Sequence, residues 1–391
     1  MSDISFLIGS GFSIPYGFPS TSFLNEKLGK IDANEISIHS SGDARFLNGQ
    51  PDPNANWSRV EERKFIQSLL EYYNENILKD GEGFNYEEFY DYYKEMLKNE
   101  IYDEDFTLFV NAFMKANNYE YPIHQLLFQF NLSYNQLLSQ LIWKDIERCH
   151  LCKPYHSSHS AFLNLVEHYA KDNIIHIHSL NHDLYIEHLA YSDSIQANLD
   201  DGFEEYGSPF YGELFNKYER YKARLEYFTN KYESKFRLYK LHGSINHYWF
   251  QGDGELEMIK IKRGVGKTDL LKEVIIDGKY EYKSDTSNYY PDFLSGKLTK
   301  IDQYAKGSYY PIMFSHFQNN LTKSNVLVII GYGFGDEQIN KYLEAYINTE
   351  SKKILVVDIV RPLNTLLEKA NVFYIEGGVV GMDINAIISN N

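Results

Sequence analysis

Six short apolar runs, rich in β-branched residues, constrain the fold of this chain more than any other feature of its sequence. Strands of a parallel sheet read as continuous apolar stretches because helices cover both of their faces. We therefore predict an α/β fold, with a Rossmann-like, doubly wound, mostly parallel six-stranded sheet. The runs lie at residues 4–8, 174–178, 236–241, 326–330, 354–357 and 372–375.

The long stretch between the first two runs has a different periodicity. Aromatic residues at positions 86, 89, 90 and 93 follow the i, i+3, i+4, i+7 spacing of an amphipathic helix. We expect a large α-helical insertion there, and a charged aromatic helix at about residues 210–234. The predicted domains are a catalytic domain at 1–25 and 155–391, a helical insertion sub-domain at 26–154, and a β-hairpin excursion at 251–307 within the catalytic domain.

Four of the six runs end directly in clusters of Gly, Asn, Asp or His. Open α/β sheets bind ligands in the crevice beyond the carboxyl ends of their strands, so the chemistry is expected at these four ends. The clusters are GSGFS from residue 9, SLNHD from 179, HGSINH from 242 and GYGFGDE from 331.

The first two clusters suggest a nucleotide ligand. Gly9 and Gly11 let the backbone approach a pyrophosphate, and no Lys or Arg precedes Lys27, so amides and hydroxyls would have to hold it. Asn181 can orient a water molecule or a ribose hydroxyl without carrying charge. Asp183 has the alternative role of capping the helix that follows.

The other ends add a base and further contacts. His242 is a candidate general base, with a structural role as the alternative, and Gly243 after it leaves room for a ligand. Gly331 and Gly333 permit close backbone approach. Asp358, after the fifth run, either takes ribose hydroxyls or is an ordinary turn residue.

Composition excludes several classes of function. With 38 Lys and Arg against 54 Asp and Glu, the formal net charge is −16, which argues against direct nucleic-acid or anionic-membrane binding. The two cysteines fit a reducing compartment, and the N-terminal residues lack the features of a secretory signal. We expect a soluble, cytoplasmic protein with no membrane contact.

Two apparent motifs do not meet their spacing rules. The GVGKT segment at 264–268 resembles the end of a P-loop, but Ile261 stands where the pattern requires Gly. Cys149, Cys152, His156 and His159 could ligate zinc, yet their spacing is too short for a zinc finger. We therefore expect neither ATP nor a metal.

Taken together, GSGFSIPYGFPS, SLNHD, KLHGSINH and IIGYGFGDEQIN resemble, in this order, the sirtuin-like domains of bacterial antiviral defence. The resemblance implies NAD as substrate and Asn181 and His242 as the catalytic pair. It further implies NAD-binding roles for the glycine loop and for the later strand ends. These residues are Gly9, Ser10, Gly11, Phe12, Ser13, Asp183, Gly243, Gly331, Tyr332, Gly333 and Asp358.

The chain differs from deacylating sirtuins, which carry two pairs of zinc-binding cysteines and an Asp-Phe-Arg segment after the glycine loop. It has one cysteine pair, and Ser20, Thr21 and Ser22 follow the glycine loop. The resemblance is thus to NAD glycohydrolases that deplete the cofactor in infected cells. It implies a homo-oligomer, with a HerA-type ATPase or a short Argonaute-type protein as a possible partner. A protein deacylase and a non-catalytic NAD or ADP-ribose sensor are the alternatives.

Overall fold

The computed structural model describes residues 2–389, apart from 41, 53–55, 57, 80, 100–101, 144–158, 190–198, 216–218, 252–255, 263–264, 286–290, 292–307 and 350. The chain divides into two compact units. The first comprises Met1–Phe18, Lys144–Phe293 and Tyr304–Asn391, and the second comprises Pro19–Trp143 and Leu294–Gln303.

The elements are numbered in chain order. The strands are β1 Ser2–Ile8, β2 Ile36–Ile38, β3 Ala44–Phe46, β4 Asn173–Ser179, β5 Leu199–Asp200, β6 Phe203–Glu204, β7 Phe210–Phe215, β8 Arg220–Arg224, β9 Glu226–Phe228, β10 Phe236–Lys240, β11 His247–Gln251, β12 Leu256–Lys260, β13 Val265–Ile276, β14 Lys279–Asp285, β15 Ser324–Ile330, β16 Lys353–Asp358 and β17 Val372–Glu376. The helices are α1 Thr21–Leu28, α2 Val60–Asn76, α3 Tyr86–Asn99, α4 Glu104–Ala116, α5 Ile123–Ile142, α6 Ser160–Ala170, α7 Tyr185–Leu189, α8 Tyr309–Lys323, α9 Glu337–Ile347 and α10 Ile384–Ser389.

The central sheet of the first unit has seven strands in the order β17-β16-β15-β1-β4-β10-β5, and the pairings between neighbours are parallel. All six apolar runs form strands of this sheet, in agreement with the predicted Rossmann-like α/β fold. The predicted count of six strands is wrong, because β5 adds a seventh. That strand pairs through two residues with Phe236 and Arg237, and two residues are too few to show a periodicity.

Helices cover both faces of this sheet. Successive strand residues point to opposite faces, so Phe6 and His178 mark the two sides. The Phe6 ring packs 5.9 Å from Phe162 of α6, and the His178 ring packs 4.8 Å from Phe317 of α8. The continuous apolar strand pattern follows from this burial on both sides.

The strand order reverses direction beside β1. From β1 the chain adds β4 and then β10 on one side, and later β15, β16 and β17 on the other. The carboxyl ends of β1 and β15 therefore flank a topological switch point, where open α/β sheets form their ligand crevice.

Two smaller antiparallel sheets, β11-β12-β9-β6 and β14-β13-β7-β8, complete the first unit. The helix expected at about residues 210–234 is wrong, because β7, β8 and β9 occupy this segment. Phe210 and Leu214 are four residues apart on β7 and therefore point to the same face of the strand. They pack with Leu225 and Leu270 in one cluster. This is a period of two, which the high density of aromatic residues obscured. The GVGKT segment runs into β13, so a strand stands where a P-loop would need a helix.

The second unit contains α1 to α5 and the hairpin of β2 and β3. Its core is aromatic: the Phe130 ring lies 5.0 Å from Tyr93, 5.9 Å from Phe89 and 6.2 Å from Phe65. Among the described residues of both units, no helix has the length and apolar character needed to cross a membrane.

Candidate functional site

Asn181 lies just beyond β4 with a fixed amide. Its Nδ2 donates to the Gly9 carbonyl at 2.9 Å and to Ser13 Oγ at 3.1 Å. A carbonyl oxygen only accepts, so this contact identifies which amide atom is nitrogen. The two Nδ2 protons are thereby used, and among the described residues no hydrogen bond involves Oδ1. Asn181 is thus oriented to offer an acceptor oxygen.

Asp183 caps α7 and also lies next to Ser13, which accepts from Asn181. Its carboxylate accepts from the Tyr185 amide at 2.8 Å and interacts with Ser13. Burial raises the pKa of the Asp183 carboxyl, and the positive charge of Lys240 opposes that rise. The capping alternative therefore holds for this residue, and Ser13 connects it to Asn181.

A buried ion pair below these residues was missed by the sequence reasoning. Lys240 is 3% exposed, and its Nζ contacts the Asp183 carbonyl oxygen and lies 3.5 Å from Glu187 Oε1. Burial raises the pKa of Glu187, while Lys240 acts against that rise. The sequence feature that could have revealed this pair is the position of Lys240 at the end of an apolar strand, because a buried lysine needs a partner.

Backbone hydrogen bonds join the segments that follow β4 and β10. The amide of Ile245 donates to the His182 carbonyl at 3.0 Å, and Ser244 Oγ donates to the same oxygen at 3.2 Å. The strand register pairs Ser179 with Lys240. Asn181 and His242 each come two residues after these partners, so both lie at the same edge of adjacent strands. Gly243, with φ of +77°, makes the turn after His242.

His242 faces a carboxylate supplied by another loop. Its Nε2 lies 3.3 Å from Asp336 Oδ2, and the ring is buried. The other oxygen of Asp336 caps α9 by accepting from the amides of Gln338 and Ile339 at 2.9 and 3.1 Å. Nothing local in the sequence connects Asp336 to His242.

Three glycines bring the loops after β1 and β15 into direct contact at the switch point. A Cβ on Gly9 would lie 2.4 Å from the Gly331 carbonyl oxygen, and one on Gly11 would lie 2.7 Å from the Gly331 Cα. Gly331 itself has φ of +64°, and its Cβ would lie 2.5 Å from the Phe12 amide nitrogen. We call Gly9, Gly11 and Gly331 the glycine interlock. We expected these glycines to let a ligand approach the backbone closely. In the structure, the loop after β1 and the loop after β15 approach each other instead.

The interlock uses amides that were expected to hold phosphate. Gly9 donates to the Ile330 carbonyl at 3.0 Å, and Gly11 donates to Gly331 at 2.9 Å. The amides of Phe12 and Ser13 close a 3₁₀ turn, by donating to the carbonyls of Gly9 and Ser10 at 3.1 and 3.0 Å. Of the amides at residues 9–13, all of which the structure describes, only that of Ser10 does not donate to a backbone carbonyl. Two 3₁₀ turns directly follow β1 and α1 begins only at Thr21, so the glycine loop is not the N-terminus of an α-helix.

The remaining predicted residues lie around the interlock. The Phe12 ring is fully buried, 4.8 Å from Phe162. Tyr332 is also buried, and its hydroxyl lies 3.1 Å from Asn340 Oδ1. Gly333 is exposed beside it. Asp358 ends β16, and its carboxylate accepts from the Val360 amide at 3.4 Å.

Of the four residues considered as zinc ligands, the structure describes only one. Cys149, Cys152 and His156 lie outside the described residues. His159 is fully buried, with its Nδ1 2.7 Å from the Tyr185 hydroxyl. Within the part of the chain that the structure describes, no three His, Cys, Asp or Glu side chains are grouped so that they could hold a metal.

Comparison with protein-family models gives a match. A family model described as a SIR2-like domain matches residues 193–375, slightly less than half of the chain. The matched region includes His242, Gly331, Asp336 and Asp358, and SIR2-like domains use NAD. A search of curated proteins found no match. The match therefore supports a sirtuin-like domain and an NAD-related activity, and it agrees with the Rossmann-like sheet.

Proposed function

We propose that this chain, with its SIR2-like domain at residues 193–375, is an NAD⁺ glycohydrolase that converts NAD⁺ and water into nicotinamide and ADP-ribose. One observation carries the proposal. Asn181 and His242 follow register-paired residues at the carboxyl ends of adjacent strands, next to the switch-point crevice. That is where a doubly wound sheet holds a dinucleotide.

The two residues have complementary chemistry. Cleavage of the bond between nicotinamide and ribose passes through an oxocarbenium-like state, and water must then reach the anomeric carbon. Asn181 Oδ1 accepts a hydrogen bond from that water or from a ribose hydroxyl, because its Nδ2 is already used. His242 accepts the proton that the water or the hydroxyl loses. Nicotinamide leaves readily, so positioning and exclusion of bulk water supply most of the acceleration.

We propose further that the protein acts as an antiphage effector that depletes NAD when it is activated. The support is the resemblance of its four strand-end motifs to the sirtuin-like domains of bacterial defence. An enzyme of this kind has to be inactive until it is triggered. We therefore propose control by assembly into a homo-oligomer, or by a partner such as a HerA-type ATPase or a short Argonaute-type protein.

Replacement of the two residues tests the activity. We expect Asn181→Ala and His242→Ala each to lower the kcat of NAD⁺ hydrolysis by about a hundredfold or more, since each loses a group placed at the reacting centre. The matched controls are Asn164→Ala and His168→Ala, at exposed positions of α6, and they should retain wild-type turnover. Near-normal turnover in either test variant would remove that residue from its role.

Product analysis separates this activity from the two alternatives. Wild-type protein is incubated with NAD⁺, with and without an acetyl-lysine peptide and a candidate partner. A glycohydrolase releases nicotinamide and ADP-ribose without peptide. A deacylase releases nicotinamide only when the peptide is present, and a sensor returns NAD⁺ intact.

A further inference from the structure

Asp336 approaches His242 from across the sheet. His242 follows β10 and Asp336 follows β15, and β1 and β4 lie between these two strands. The loop after β15 thus passes over the carboxyl edge to bring Oδ2 within 3.3 Å of His242 Nε2. Both side chains are largely buried: His242 is 7% exposed and Asp336 is 12% exposed. A carboxylate this close to an imidazole in a poorly solvated place interacts with it strongly.

The Asp336 carboxylate is held more firmly than a helix cap alone requires. The Tyr332 hydroxyl accepts from the Asp336 amide at 3.1 Å and lies 3.1 Å from Asn340 Oδ1. Asn340 Nδ2 in turn donates to the Phe334 carbonyl at 2.8 Å. Phe334 has φ of +59°, a conformation that L-residues seldom adopt and that these bonds stabilise. The loop therefore fixes the direction in which Oδ2 points.

We propose that Asp336 is a positioning residue for His242, an inference that rests on the proposed NAD⁺ hydrolysis. The negative charge of the carboxylate, 3.3 Å from Nε2, favours the tautomer that carries its proton on Nε2, which leaves the lone pair on Nδ1. In the reaction an O–H bond of water or ribose breaks, its electron pair stays on oxygen, and the proton bonds to Nδ1. The resulting imidazolium is stabilised by the Asp336 charge. Among the described residues, the His182 ring is a further titratable group near His242, with its centroid 6.2 Å away.

The variant Asp336→Asn separates this role from helix capping, because Asn caps helices about as well as Asp. We expect kcat to fall about tenfold or more with little change in KM, since the base loses its orienting charge while the NAD site is retained. The acidic limb of the pH–rate profile should also move to lower pH, by about one unit. Asp383→Asn makes the same exchange at the exposed start of α10 and should change neither quantity.

An NMR titration of the histidine ring tests the pair without any enzyme assay. The His242 resonance is assigned by its loss in His242→Gln, and its titration midpoint is compared between wild type and Asp336→Asn. A lower midpoint in the variant supports the pair. An unchanged midpoint overturns it, as does an unchanged acidic limb in active enzyme.

The two proposals fail in different ways. If wild-type protein never hydrolyses NAD⁺, the proposed function fails, while the titration still decides whether Asp336 acts on His242. In active enzyme, the double variant Asp336→Asn/His242→Gln should be no slower than His242→Gln alone, because Asp336 acts only through the ring. A further tenfold loss in the double variant would overturn the positioning role.

Discussion

His159 lies in an environment that differs strongly from water. It is fully buried, and its ring lies 3.9 Å from that of Tyr16 and 4.8 Å from that of Phe12. Burial lowers the pKa of His159 to about 3, and a hydrogen bond with the Phe12 backbone only partly offsets this. The ring is therefore neutral in the folded protein, and it supports the underside of the glycine loop.

This burial predicts how stability depends on pH. An unfolded histidine binds a proton below about pH 6.5, whereas folded His159 does so only near pH 3, so stability is lost as pH falls between these values. His159→Phe removes this contribution. Between pH 6 and pH 5, the free energy of unfolding should fall by roughly 1 kcal/mol less in the variant than in wild type. Urea unfolding at both pH values measures the difference.

Tyr185→Phe is the control for that experiment, because it removes the hydroxyl 2.7 Å from His159 and leaves the titrating ring. It should keep the wild-type pH dependence. Equal pH dependence in wild type and His159→Phe would contradict the lowered pKa, because it would mean that His159 binds its proton over the same pH range in the folded and unfolded chain.

At the scale of single residues, the sequence was informative about side chains that follow the strands of the central sheet. Asn181 and His242 stand directly after apolar runs, and the structure brings both to one edge of the sheet. Asp336 also follows such a run, but its approach to His242 depends on a loop crossing two strands. No local pattern encodes a contact between residues so distant in sequence.

Among the structural elements, the loops after β1 and β15 depend on each other through the glycine interlock. We predict that Gly331→Ala destabilises the fold by about 2 kcal/mol or more, because the new Cβ meets backbone atoms that cannot move aside and φ is positive. NAD⁺ binding should weaken as well. Thermal unfolding and ligand titration measure the two effects.

Gly335→Ala in the same loop is the matched control. A Cβ at Gly335 meets nothing within 4 Å, and its φ is outside the left-handed range. The control should change the free energy of unfolding by less than about 0.5 kcal/mol. If both variants were equally stable, the contact between the two loops would not be rigid in solution.

Element prediction succeeded for strands that are covered on both faces and failed for those covered on one. Burial on both sides makes the central strands continuous apolar runs, which is a distinctive pattern. On β7 and β8, Tyr, Lys and Arg side chains interrupt the alternation of apolar and polar residues, and the same sequence also fits an amphipathic helix. Packing against Leu225 and Leu270 decides between them, and that packing is not local.

For the whole molecule, assembly remains the main prediction. Phe89, Tyr93 and Phe130 of the second unit are buried in its core, so these three side chains do not supply an interface. We expect NAD⁺ turnover per chain to rise with protein concentration over the range in which the mass measured by light scattering rises. A monomer with full turnover at every concentration would contradict control by assembly.

The glycine interlock also limits how this crevice can be altered by mutation. A steric clash is usually relieved by shrinking the opposing side chain, but here the opposing groups are backbone atoms of Gly11, Phe12, Gly331 and Tyr332. No second substitution can therefore compensate for the first. A library that randomises positions 9, 11 and 331 together should return glycine at all three among the folded members, and new ligand preferences will have to come from the residues around them.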